Sequence, residues 1–141
     1  MRQLARSSIV ITLALAAGGW ARGAQEQAPS GEKIRDRAAL IESRDKALRE
    51  LEAYPKSLAQ WKRLAMIQRH LGDEKATEEA LAKASALDPK DAGVNFMLGL
   101  LHEKRADRAK AAAAFRVCLD NAAQDKIREL CAKHLRRTEA P

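Results

Sequence analysis

The chain has 141 residues, 46% of them hydrophobic, 4% aromatic and 32% charged, with a formal net charge of +7 and two cysteines. That length fits one domain, and the composition suits an Ala- and Leu-rich helical protein with a thin core. A modest basic excess without aromatic or base-reading groups beside it argues against nucleic acid as a partner, and no phosphate-binding Gly loop, Cys-x-x-Cys pair, haem-attachment motif or Gly-x-Ser-x-Gly elbow occurs.

Residues 1–24 read as an export signal: Arg2 and Arg6 precede the apolar run Ser8–Ala17, and small residues follow. The run is too short to span a bilayer comfortably. Cleavage after Ala21 or Gly23 satisfies the small-x-small preference. Cleavage after Ala24 does not, because Arg22 then falls on a small-residue position. No Cys follows the run, which speaks against a lipid-anchored start. The pattern has a bacterial character, so the expected destination is the periplasm or beyond, with no membrane span in the mature form. Residues 25–31, QEQAPSG, read as a flexible linker.

Glu32–Ala53 is expected to form one long helix with Ile34, Ala38, Ile41, Leu48 and Leu51 on its buried side, closed by Tyr54-Pro55. Within the next stretch, Trp61, Leu64, Ala65, the stem of Gln68 and Leu71 give a helix one apolar stripe, which Gly72 ends. Asp73 is an N-cap for a second helix with Ala76, Ala80, Leu81, Ala84 and Leu87 inside, stopped by Asp88-Pro89. Two such helices make an αα-hairpin.

At one constant offset the hairpin returns: Leu64 maps to Leu98, Ala65 to Gly99, Leu81 to Phe115 and Ala84 to Cys118. Units of this length bury their apolar faces on one another. Trp61, Leu64, Ala65, Leu71, Gly72, Asp73, Leu81, Ala84, Leu87, Asp88 and Pro89 resemble one ungapped tetratricopeptide repeat. The resemblance implies an all-α fold, an αα-hairpin solenoid of about two repeats (58–91 and 92–125) within a domain spanning 32–137. Residues 43–53 and a final helix from Asp125 then act as capping helices, and 138–141 is tail. Gln68, Thr77 and Asn95 depart from the family's usual Tyr, Ala and Trp. The final helix carries Ile127, Leu130, Cys131, His134 and Leu135 along one side and mainly basic residues along the other.

First helices of successive hairpins should line a concave surface. Lys62, Met66 and Arg69 from one repeat and Phe96, Leu100 and Glu103 from the next are the candidate peptide groove, with an apolar floor of Met66, Phe96 and Leu100 and with Lys62 and Arg69 placed to hold an acidic group. The alternative is that Phe96 and Leu100 belong to the core. Met66 stands where the family's carboxylate clamp would need Asn, so that clamp is not expected. Cys118 and Cys131 fall on helices that should be adjacent, and in an exported chain they are candidates for a disulfide worth roughly 3 kcal/mol. A metal site using His102, Cys118, Cys131 and His134 is the weaker alternative.

The reading that follows is a non-enzymatic protein- or peptide-binding scaffold of the bacterial cell envelope, needing no cofactor or metal. The alternative is a structural subunit of an envelope biogenesis or secretion assembly, tethered by an uncleaved signal anchor. End-to-end dimerisation stays open, because so few repeats leave stability marginal.

Overall fold

The computed structural model describes residues 31–140; the expected signal peptide (1–24) and most of the expected linker lie outside the described residues. Six α-helices follow one another: α1 (Gly31–Ala53), α2 (Leu58–Leu71), α3 (Glu74–Leu87), α4 (Ala92–Lys104), α5 (Arg108–Asn121) and α6 (Asp125–Glu139). Among the described residues there is no strand. Each helix packs against the next in sequence, and α4 also reaches α6. α2 and α4 start at Leu58 and Ala92, and α3 and α5 start at Glu74 and Arg108, so both helices of the second hairpin begin at the offset that carries Leu64 onto Leu98.

The helix ends are written in capping residues. Ser57, Asp73, Asp91 and Asp107 accept the amide three residues ahead (Gln60, Ala76, Val94 and Lys110) at 3.4, 3.0, 2.8 and 3.1 Å. Each such cap is worth about 1 kcal/mol. At the end of α2, Gly72 takes a left-handed φ of 81°, and the amides of Gly72 and Asp73 donate to the carbonyls of Arg69 and Gln68. The end of α4 repeats this pair of bonds with Ala106, at φ 57°, donating to Glu103, and Asp107 donating to His102.

Ala47, Leu51, Leu64, Ala65, Leu81, Ala84, Val94 and Leu101 form one buried cluster across α1 to α4. Phe115, Cys118 and Cys131 are fully buried further along the chain. α4 and α5 approach so closely that a Cβ on Gly99 would lie 2.4 Å from the Phe115 ring. Cys118 on α5 and Cys131 on α6 are joined as a disulfide, their Cα atoms 6.0 Å apart.

Several expectations are corrected. α1 begins at Gly31, inside the expected linker. Ala38 and Leu48 are exposed, because α1 packs chiefly on α2 among the described residues and the stripe it buries there runs through Ala47 and Leu51; Leu48 lies about 100° round the helix from Ala47 and about 60° from Leu51. Leu87 is 39% exposed where the stripe of α3 runs out at its last residue, and Leu130 is equally exposed because α6 turns Cys131 inward instead. The domain does not stop at Arg137: α6 continues through Glu139, and Thr138, expected in the tail, is buried with its hydroxyl donating to the Leu135 carbonyl at 2.8 Å. Arg116 pairs with Glu139, and Arg108 donates to the Ala140 carbonyl at 3.2 Å, fastening this end to α5.

Candidate functional site

The spacing Ala59, Lys62, Arg63, Met66 places these side chains on one face of α2, turned away from buried Leu64 and Ala65. Opposite them α4 presents Gly93, Phe96 and Met97, and together these residues line an open groove of about 390 Å³. Met66 is its most exposed large apolar side chain, at 48%.

The six expected groove residues do not form one surface. Lys62, Met66 and Phe96 share this groove. Arg69 and Leu100 line a separate pocket of about 360 Å³ between α2, α3 and α4. Arg69 lies two turns beyond Lys62, about 10 Å along the helix axis, which carries it past the end of the groove. Glu103 faces α6: it accepts from Arg137 Nε at 2.8 Å and stands 3.1 Å from His134 Nδ1.

Lys62 is also not placed as expected to hold an acidic ligand. Its Nζ reaches across Gly93 to Asp91 Oδ2 at 2.8 Å, while Asp91 Oδ1 caps α4. Burial raises the Asp91 carboxyl pKa, but the Lys62 ammonium and the Val94 and Gly93 amides outweigh it and hold the group below its ordinary value. The cation left on this groove is Arg63, for which the described residues provide no ion-pair partner. Sequence reasoning passed over Arg63, Gly93 and Met97; the helical spacing of Arg63 from Ala59 and Met66 was the available signal.

Phe96 serves both packing and groove. Its ring meets His134 edge-on at 5.4 Å between centroids and Phe115 at 6.0 Å, and His134 lies 5.1 Å from Phe115. His134 Nδ1 is 3.1 Å from both Glu103 Oε2 and Arg137 Nη2, so it accepts from Arg137 or donates to Glu103, not both. The Arg137 hydrogen bond holds the Glu103 carboxyl below its ordinary pKa against the opposing effect of burial, with His134 adding to the lowering.

With Cys118 and Cys131 bonded to each other, their sulfurs are not free thiolates for a metal, and among the described residues no three His, Cys, Asp or Glu side chains gather into a metal-binding group. No helix among the described residues is long and apolar enough to cross a membrane. No family model matches the chain, and no curated protein matches it.

Proposed function

We propose that the chain is a non-enzymatic binding module, a tetratricopeptide-like stack of helical hairpins exported to the bacterial cell envelope, which takes a peptide segment of a partner protein along the groove between α2 and α4. The observation that carries this reading is Met66, an adaptable apolar side chain left half-exposed beside Phe96 and Met97 on a floor made by two rigid helices. Support for the hairpin stack comes from the constant offset of the helix starts and from Leu81 and Phe115, which occupy equivalent positions in the two hairpins and are both fully buried. Export rests on the pattern at 1–24 and would show as an intact mass lacking everything up to Ala21 or Gly23.

The test is to select binders to the folded domain from a random peptide display library and titrate them against wild type and Met66→Asp. Affinity should fall at least roughly tenfold in the variant, as for a central apolar anchor, with the helical circular dichroism unchanged. Met66 is the better site than Phe96, whose ring also packs on Phe115 and His134. Equal affinity for both proteins, or a library that yields no saturable binder, would overturn the groove assignment.

A further inference from the structure

The pocket that took Arg69 and Leu100 out of the groove has a chemistry of its own. Met97, Leu100 and Leu101 of α4 supply its apolar lining, and Met97 and Leu101 are nearly fully buried. At about 360 Å³ it falls at the small end of ligand-sized cavities. Its polar groups are mostly committed. The Thr77 hydroxyl donates to the Asp73 carbonyl at 2.6 Å, and Lys104 is ion-paired with Glu74, whose carboxyl it holds below the ordinary range by hydrogen bond and charge. Arg69 differs: its guanidinium has no hydrogen bond or ion pair among the described residues.

We propose that this pocket binds an aliphatic monocarboxylate, a medium-chain fatty acid, with its alkyl chain against Met97, Leu100 and Leu101 and its carboxylate on Arg69. One uncompensated cation at the rim of an apolar cavity matches a ligand with one anionic head and an otherwise apolar body. An extended peptide fits less well. Its backbone N–H and C=O groups would need partners, and the lining, with Thr77, Glu74 and Lys104 already engaged, has few to give. The site shares only Met97 with the lining of the peptide groove and does not depend on that groove being used.

The experiment is a titration of sodium decanoate, below its micellar concentration, into the isotope-labelled protein, followed by amide chemical shifts. Decylammonium is the charge-reversed control and Arg69→Gln the variant. Saturable shifts should cluster at residues 69–77 and 97–104, Arg69→Gln should weaken decanoate by roughly tenfold, as for a charge-assisted hydrogen bond, and decylammonium should bind more weakly than decanoate. Because Arg69 is exposed, its replacement leaves the core intact. No saturable shift, equal binding of decanoate and decylammonium, or a decanoate affinity unmoved by Arg69→Gln would each overturn the proposal. Decanoate shifts centred on Met66 and Phe96 would also overturn it, by showing the groove as a general apolar sink. Met66→Ala, which sets no carboxylate one turn from Arg69, should weaken peptide binding and leave decanoate binding unchanged, so loss of peptide binding and loss of decanoate binding are separable results.

Discussion

In the hairpin α2–α3, Trp61 ties the start of its first helix to the preceding turn by donating its indole N–H to the Pro55 carbonyl at 2.8 Å. In α4–α5 the equivalent residue is Asn95, and its amide donates to the Pro89 carbonyl, again at 2.8 Å, and to the Asp91 carbonyl at 3.0 Å. A large aromatic and a small amide thus make the same tie to a proline carbonyl at the same separation along the chain. The difference teaches that this position is chosen for a donor reaching that carbonyl, not for aromatic volume.

Other pairs diverge in concert. Where α2–α3 has Ala65 and Leu81, α4–α5 has Gly99 and Phe115, and the missing methyl at Gly99 makes the room that the larger ring fills. The exits differ most. α3 runs into Asp88-Pro89, with Asp88 capping the turn by accepting the Lys90 amide at 3.0 Å. α5 runs into Ala122, which is buried, and is fastened to α6 by the Cys118–Cys131 bond.

That covalent exit gives the largest expected effect. Among the described residues of α6, only Cys131 and Thr138 are buried, and its ion pairs with α4 and α5 involve mostly exposed partners worth little each. Replacing both cysteines by alanine should cost about 3 kcal/mol in urea unfolding, the chain-entropy value for a loop of this size. Amide exchange should rise first in α6 and least in α2–α3. A uniform rise along the chain would show that the two hairpins do not differ in how they are closed.

Next comes the coupled pair. Gly99→Ala should destabilise by about 1–3 kcal/mol, because the added Cβ meets a ring that is fully buried and cannot swing aside. Adding Phe115→Leu rebuilds the Ala and Leu combination of α2–α3, and the double variant should be at least ~1 kcal/mol more stable than the two single costs summed. Additive costs in the same urea series would mean the two positions were filled independently.

These contrasts also mark what was legible in the sequence. The start of α3 was readable because Asp73 caps it just ahead of an apolar period, and capping is local chemistry; the equivalent caps at Ser57, Asp91 and Asp107 carried the same signal and were passed over. The inward sides of Leu81 and Phe115 followed from the repeat offset. Leu48, Leu87 and Leu130 were misplaced because periodicity ranks the faces of a helix but does not say how much of a face a neighbour covers; among the described residues α1 is covered chiefly by α2. The groove residues divided for a similar reason. Which of Lys62, Arg69 and Glu103 remains available to a ligand is decided by partners remote in sequence, Asp91 for Lys62 and Arg137 for Glu103.

The smallest effect isolates the backbone. Both first helices end in a residue of left-handed φ, but α2 uses Gly72 and α4 uses Ala106, at 81° and 57°. A Cβ at Gly72 would have nothing within 4 Å, so Gly72→Ala adds no clash and its cost is conformational alone. Left-handed backbone costs a residue with a Cβ about 1 kcal/mol, partly offset by the smaller entropy that alanine loses on folding. Gly72→Ala should therefore destabilise by about 0.5–1 kcal/mol, and Ala106→Gly should stabilise by a similar or smaller amount, both read from urea midpoints at unchanged slope. Opposite signs would show that the two turns demand the same backbone and that α4–α5 carries the less suited residue. If both substitutions destabilised, the Ala106 methyl would have to contribute packing that outweighs its strain, and the two helix ends would no longer be equivalent.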